Sequence, residues 1–86
     1  MAIRNVLIVD DSKTELMFLS ELLKKNGFSV TTAENAEDTY KRLAEAIPDL
    51  ILMDGVMPGQ NGFQLTRAIT RDPKYANVPV IMCTSK

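Results

Sequence analysis

The chain of 86 residues has the size of one small domain. Its hydrophobic share of 45% and charged share of 24% are typical of a globular protein and argue against a disordered chain or a fibre. Ten basic and eleven acidic residues give a net charge of −1, so the balance does not support direct nucleic-acid binding.

The residue types that are rare or missing narrow the chemistry further. The chain has no histidine, which removes His-based triads, histidine metal sites and a phosphohistidine carried on this chain. Its one cysteine, Cys83, cannot form an internal disulfide, and this favours a reducing compartment. The start of the chain does not read as a signal peptide, and no apolar run approaches the roughly 18 residues of a membrane span. We therefore expect a cytoplasmic protein with no membrane contact.

Short apolar runs predict four strands. Residues 6–9 form a continuous apolar run, which is typical of a strand buried on both faces of a sheet, and residues 50–53 form a second one. Residues 28–32 instead alternate apolar with polar or β-branched side chains, as expected of a less buried strand at the edge. Residues 78–83 predict the last strand.

Three helical patterns separate these strands. The first begins after Ser12, which we expect to form a capping box with Glu15, and it ends at Gly27. The second begins after Asn35 and ends at Pro48. The third covers residues 63–72. The side chains expected to face inward from the helices are those of Leu16, Leu19, Leu23, Ala36, Tyr40, Leu43, Ala44, Ile47, Leu65, Ala68 and Ile69.

The predicted order is β-α-β-α-β-α-β. Strands that alternate with helices pair in parallel through right-handed crossovers, and the helices cover both faces of the sheet. The sequence therefore predicts an α/β three-layer sandwich around a parallel sheet. In such sheets the ligand site lies at the carboxyl ends of the strands.

Acidic and hydroxyl side chains stand at those carboxyl ends. Asp10 and Asp11 follow the first strand, Asp54 follows the third, and Thr84 and Ser85 follow the last. Carboxylates that converge in a partly dry pocket repel one another and are tolerated there with a cation. All-oxygen ligands select a hard ion, and a small site with open positions for phosphate favours Mg²⁺. A carboxylate beside Mg²⁺ can attack a phosphoryl group, so the chemistry indicates phosphoryl transfer onto an aspartate.

Each of these residues alone has an ordinary structural explanation. Asp10 or Asp11 by itself would cap a helix, and Asp54 before a glycine would start a turn. Thr84 by itself would bond to the backbone at a strand end. Their joint placement at one edge of the sheet is what favours a site.

Two other side chains are assigned to structure rather than chemistry. Cys83 lies in an apolar strand, so we expect a buried core thiol with no activating neighbour. Asp49 precedes its strand, which places it at the opposite end of the sheet from the other carboxylates.

Three segments together form a known pattern: VLIVDDS at 6–12, LMDGVMPG at 52–59 followed by Gly62, and VIMCT at 80–84. The chain resembles the receiver domain of bacterial two-component response regulators over essentially all of residues 1–86. Within that family it is similar to single-domain regulators of chemotaxis and twitching motility. The resemblance implies a flavodoxin-like fold.

The resemblance also implies roles for individual residues. Asp54 would be the phosphoacceptor, taking a phosphoryl group from a sensor histidine kinase or phosphotransfer protein. Asp11 and Asp54 would bind Mg²⁺ directly, the backbone carbonyl of Val56 would add a ligand, and Asp10 would act through water or as a second carboxylate. Thr84 would be the switch hydroxyl. The phosphorylated domain would then change its binding to a downstream effector protein.

One departure from the family affects this expectation. A receiver domain normally continues for about one more β-α pair and a further helix, and it carries a lysine after its last strand. Lys86 lies too close to Thr84 to be that lysine. We therefore expect either that the chain is a fragment whose C-terminal part is missing, or that a homodimer or swapped dimer supplies the missing elements.

Two alternatives to a phosphorylated signalling domain remain. An aspartate-nucleophile phosphatase, similar to the haloacid dehalogenase type, would need an Asp-x-Asp pair and a cap domain, whereas Asp10 and Asp11 are adjacent and the chain is short. A receiver-like interaction module that is not phosphorylated would fit a truncated chain but not the intact acidic set. We expect a phosphoacceptor that assists its own phosphorylation and dephosphorylation, and not an enzyme acting on metabolites.

Overall fold

The computed structural model describes residues 2–57 and 60–83. The chain alternates strands with helices, and a short hairpin follows the third strand. The elements are β1 (Asn5–Val9), α1 (Lys13–Lys25), β2 (Ser29–Ala33), α2 (Ala36–Glu45), β3 (Leu50–Asp54), β4 (Val56–Met57), β5 (Gln60–Asn61), α3 (Gly62–Arg71) and β6 (Val80–Cys83).

The main sheet has four parallel strands in the order β2-β1-β3-β6. The prediction of a parallel α/β sheet is confirmed, and β2 lies at an edge as its alternating pattern indicated. The two-residue strands β4 and β5 pair antiparallel with each other in a separate hairpin. No strands were predicted from the sequence in this stretch.

The register of the sheet brings the carboxyl ends of three strands level. Val9, the last residue of β1, pairs with Met53 in β3, and the next residue of β3, Asp54, pairs with Cys83 at the end of β6. The backbone N–H of Asp10 donates to the carbonyl of Ala33 at 3.0 Å, which continues the pairing of β1 with β2 by one residue. Asp10, which follows β1, and Asp54, the last residue of β3, therefore lie at the same edge of the sheet.

The hydrophobic core lies on both faces of the sheet. On one face α1 packs Leu16 against Val6 and Ile8. On the other face α2 and α3 pack against Leu7, Val9, Ile51 and Met53, through Leu43, Leu65 and Ile69. Alternate residues of β1 and β3 thus enter opposite cores, and the three layers that the sequence predicted are present.

The helix starts follow the predicted caps with one difference. The Ser12 hydroxyl accepts the backbone N–H of Glu15 at 3.3 Å, and the Asn35 side chain accepts that of Asp38 at 2.8 Å. The capping box predicted for Ser12 requires the Glu15 carboxylate to accept the Ser12 N–H. That N–H donates to the carboxylate of Asp10 instead, at 2.9 Å.

The prediction of the inward face of α2 was partly wrong. Leu43 is buried, but Tyr40 and Ile47 are 43% and 53% exposed. The buried residue is Thr39, whose hydroxyl donates to the carbonyl of Asn35 at 2.7 Å and so needs no water. The helix also ends at Glu45 rather than at Pro48, since Ala46 is extended, and Ile47 therefore lies outside it.

The inward face of α3 was also predicted one residue too wide. Leu65 and Ile69 are buried together with Gly62, whereas Ala68 is exposed. Ala68 gains little from burial because its side chain is a single methyl group.

In the part of the chain that is described, no helix is long and apolar enough to cross a membrane.

Candidate functional site

Three carboxylates meet at the carboxyl ends of β1 and β3. One ligand oxygen each of Asp10, Asp11 and Asp54 lies within 4.8 Å of the other two. The acidic residues that the sequence singled out are thus brought together, as the parallel register requires. Thr84 and Ser85 lie outside the described residues, as do Pro58 and Gly59.

The backbone around Asp10 holds its carboxylate in place. The carboxylate accepts the N–H of Ser12, the residue that caps α1, at 2.9 Å. Partial burial raises the pKa of Asp10, and the negative charges of Asp54, Asp11 and Glu15 raise it further, against the opposing effect of the Ser12 hydrogen bond. The ionised form of Asp10 is therefore under electrostatic strain that a cation would relieve.

The backbone of Asp54 is fixed by close packing against α3. The N–H of Gly62 donates to the carbonyl of Gly55 at 3.2 Å. A Cβ atom at Gly62 would overlap the backbone carbonyl oxygen of Asp54 and would lie 2.9 Å from the Asp54 carbonyl carbon and the Gly55 Cα. Only a glycine permits this approach, so α3 begins directly against the end of β3.

The hairpin β4–β5 and a capping residue define how the chain leaves Asp54. Val56, whose carbonyl is the expected ligand, pairs with Asn61 across the hairpin. The Asn61 side chain then accepts the N–H of Phe63 at 2.8 Å and caps α3. The roles of Asn61 and Gly62 were not predicted from the sequence, although an Asn-Gly pair directly before an apolar helical pattern was a signal for both.

Cys83 lies beside this cluster and is not the buried core thiol that was expected. It pairs with Asp54 across β3 and β6 and is only partly buried. Its thiol lies 3.8 Å from the carbonyl of Ile81. Burial raises the pKa of the Cys83 thiol, and the charges of Asp10 and Asp54 raise it further. The thiol form is therefore favoured, which agrees with the expectation that it is not activated.

Asp49 lies at the other end of the sheet, as the sequence indicated. Its carboxylate accepts the backbone N–H groups of Arg4 and Asn5, each at 2.9 Å. These two hydrogen bonds hold the pKa of Asp49 below its usual range. Asp49 therefore fixes the start of β1 and is remote from the three-carboxylate cluster.

The donor set fits a small hard cation. Two oxygens bound to one Mg²⁺ at about 2.1 Å lie no more than about 4.2 Å apart. The three carboxylate oxygens lie within 4.8 Å of one another, which is slightly more than this limit, so a small side-chain rotation would bring them into range. At this separation two carboxylates repel by roughly 1 kcal/mol in water and up to about 4 kcal/mol in a partly buried site. A divalent cation would remove that cost.

Two concave surfaces among the described residues lie at the amino ends of the strands. The larger one has a volume of about 370 Å³ and is lined by Ile3, Ile47, Pro48, Asp49, Lys74, Asn77, Val78 and Pro79. None of its lining residues belongs to the three-carboxylate cluster.

Comparison with known sequences identifies the family of this arrangement. Residues 6–86 match the family described as the response regulator receiver domain. Protein PilH of Pseudomonas aeruginosa is 48% identical over 81 residues, which cover 94% of this chain and 67% of PilH. Protein PilG of the same organism is 37% identical, with 94% of this chain and 60% of PilG covered. The phosphate regulon transcriptional regulatory protein PhoB of P. aeruginosa is 34% identical, with 96% of this chain and 36% of PhoB covered.

Solved structures give the same result for the fold. The N-terminal domain of a response regulator receiver protein from Methanoculleus marisnigri superposes with a TM-score of 0.92 at 30% identity, covering 99% of this chain and 69% of the other. The chemotaxis protein CheY4 of Vibrio cholerae superposes with a TM-score of 0.91 at 30% identity, covering 99% and 71%. The flavodoxin-like architecture expected from the sequence is therefore present in this chain.

Proposed function

The chain belongs to the response regulator receiver domain family, and from that premise we propose that it is a Mg²⁺-dependent phosphoacceptor. Asp54 takes a phosphoryl group from a sensor histidine kinase or a phosphotransfer protein. The modification changes how the domain binds a downstream effector protein in the cytoplasm. As a member of this family, the chain is part of two-component signalling and is not an enzyme that acts on metabolites.

The three-carboxylate cluster is the observation that carries this proposal. A structural role would require no more than one acid at each helix start, and Asp10 already serves the start of α1 through Ser12. Asp11 and Asp54 add two further charges within 4.8 Å, at a cost in repulsion. The cost is explained if the cluster binds a cation next to a reacting carboxylate.

The residues divide the work in the following way. Asp11, Asp54 and the backbone carbonyl of Val56 would hold Mg²⁺ directly, and Asp10 would act through water or as a second carboxylate. The bound ion supplies positive charge that offsets the negative oxygens of the incoming phosphoryl group and of the carboxylates. The Asp54 carboxylate forms a bond to phosphorus while the bond from phosphorus to the imidazole nitrogen of the kinase breaks. Thr84, outside the described residues, is proposed as the hydroxyl that turns toward the phosphoryl group.

Close backbone packing keeps the Asp54 carboxylate in position for this step. The contact between Gly62 and the backbone of Asp54 fixes the end of β3 relative to α3. A reacting group whose position is set in advance needs less reorganisation in the transition state. Because of this contact, a movement of Asp54 after phosphorylation would also displace the start of α3.

The intact mass of the natively expressed protein, before and after incubation with Mg²⁺ and acetyl phosphate, tests this function. We expect one phosphoryl group to be gained, and Asp54→Asn to gain none. Asp49→Asn is the matched control, because it removes an aspartate from the opposite end of the sheet and should leave labelling unchanged. Labelling that persists in Asp54→Asn, or is absent from the unmodified protein, would contradict the proposal.

Turnover of p-nitrophenyl phosphate and the effect of Mg²⁺ on thermal stability, measured on the same protein, distinguish the two alternatives. A phosphatase would release phosphate from p-nitrophenyl phosphate over many turnovers, without a stable gain of mass. An interaction module without phosphate chemistry would show neither labelling nor turnover, and its thermal stability would not respond to Mg²⁺. The receiver function predicts stoichiometric labelling and a rise in stability with Mg²⁺.

A further inference from the structure

A row of exposed side chains on α3 has no role in the phosphoacceptor site. Phe63, Arg67 and Arg71 follow one another at intervals of four residues, which places them along one side of the helix. All three are exposed, and Phe63 retains 53% of its accessible surface. We call these three residues the α3 row. Buried contacts of the same helix use Gly62, Leu65 and Ile69, on its other side.

All the charged side chains of α3 are positive. The sequence of α3 contains two arginines and no acidic residue, whereas α1 and α2 each mix both signs and the whole chain has a net charge of −1. Within the described ranges the ion pair found is between Arg42 and Glu45 on α2, and it does not involve α3. Arg67 and Arg71 thus present their charges to the outside.

We propose that the α3 row is a docking surface for an acidic amphipathic helix of a partner protein. The two arginines are about 6 Å apart along the helix axis, since four residues rise about 1.5 Å each. Carboxylates one turn apart on a partner helix would match that spacing and accept hydrogen bonds from both guanidinium groups. Phe63, one turn further, offers a flat apolar contact to the apolar side of the same partner helix. Aromatic and arginine side chains are enriched in protein interfaces.

Charge complementarity favours a short acidic segment over other polyanions. Phe63 follows Gly62, which touches the backbone of Asp54, so the row begins next to the three-carboxylate cluster. A nucleic acid or an anionic membrane extends well beyond three side chains and would meet that negative charge. A helix of a protein can cover the row alone. The proposal goes beyond the phosphoacceptor function and does not require phosphorylation of Asp54.

The test is a titration of the ¹⁵N-labelled protein with a synthetic helical peptide that carries glutamates four residues apart on one side and leucines on the other. We expect saturable shifts of amide signals in Gly62–Lys74. The double variant Arg67→Gln with Arg71→Gln should weaken binding at least about tenfold. Phe63→Ala should weaken it severalfold. Raising the salt concentration from 0.05 M to 0.5 M should also weaken it, because exposed charges are screened.

The matched control is Lys24→Gln with Lys25→Gln. It also removes two positive charges, but from the last turn of α1, which is a different exposed helix end. This control should bind the peptide within about twofold of the unmodified protein. Equal weakening by both double variants, shifts centred on α1, or no saturation would overturn the proposal. Saturable binding of an oligonucleotide or of vesicles with anionic lipid through the α3 row, without peptide binding, would overturn it as well.

Discussion

Replacing Gly62 by alanine should damage the site more than it damages the fold elsewhere. The added Cβ atom would overlap the carbonyl oxygen of Asp54 and lie 2.9 Å from two backbone carbons, those of the Asp54 carbonyl and the Gly55 Cα. Carbon atoms in ordinary contact are about 3.5–4.0 Å apart. The helix and the end of β3 must therefore separate by at least roughly 0.6 Å, and backbone atoms cannot rotate aside as a side chain can.

The structure gives an approximate size for both effects. Overpacking a close contact costs about 1–3 kcal/mol, and the rigid backbone on both sides of Gly62 places this variant at the upper end. For a domain of this size that corresponds to a fall in the unfolding midpoint of roughly 10–20 °C. A displaced carboxylate reacts more slowly because its geometry is no longer set in advance, and we expect phosphorylation to slow at least about tenfold.

Gly27→Ala is the matched control for this prediction. Gly27 has a φ of +90° but nothing within 4 Å of the position of an added Cβ. Alanine there is strained by about 1–2 kcal/mol through its backbone alone, without any push on Asp54. Thermal unfolding followed by circular dichroism, and acetyl phosphate labelling below both midpoints, separate the two. If the Gly62→Ala variant is phosphorylated at the rate of the unmodified protein and melts within 2 °C of it, the reasoning is refuted.

Three further predictions concern charge and packing. Without metal, Asp10→Asn should raise the free energy of unfolding at pH 7 by less than about 1 kcal/mol after allowance for solvent screening, because the folded-state pKa of Asp10 is raised. Chemical denaturation should show that this gain in stability disappears below pH 3.8. A loss of stability at pH 7 would contradict the prediction. Asp49→Asn should lower the melting midpoint at pH 7, because the folded-state pKa of Asp49 is lowered. The difference in midpoint between this variant and the unmodified protein should be lost as the pH falls below 3.8. An equal difference at pH 2 would be evidence against the role of the Asp49 charge. Leu43→Ala should lower the free energy of unfolding by about 2–5 kcal/mol, and Tyr40→Ala should lower it by less than about 1 kcal/mol. The reason is that the side chain of Leu43 is 2% exposed and that of Tyr40 is 43% exposed. The reverse order in urea unfolding would show that the inward face of α2 is misassigned.

The sequence was informative where a residue's type alone decides its environment. Continuous apolar runs predicted β1 and β3, because a strand covered by helices on both faces has no polar positions to spare. Asp10, Asp11 and Asp54 could be placed together because parallel strands all end at the same edge of the sheet. The alternating pattern of β2 was enough to place that strand at an edge.

The sequence failed where two arrangements have similar hydrophobic patterns. Tyr40 fits the apolar stripe of α2 by spacing, but the core instead takes Thr39, whose hydroxyl bonds to the Asn35 carbonyl. Hydropathy gives no signal for such a satisfied polar group. The Ser12 N–H likewise had two candidate acceptors in the sequence, the carboxylates of Glu15 and Asp10, and spacing alone could not show that Asp10 is the one it bonds. The contact of Gly62 with Asp54 depends on tertiary packing between β3 and α3.

We expect Asp54, and neither of the two acids beside it, to receive the phosphoryl group. The most direct measurement is to phosphorylate the natively expressed protein with acetyl phosphate and Mg²⁺, reduce the acyl phosphate with borohydride, and locate the resulting homoserine by peptide mass spectrometry. Homoserine at position 54, lost when EDTA removes the metal, is the result expected here. Homoserine at position 10 or 11, or none when Mg²⁺ is present, would contradict the assignment of Asp54.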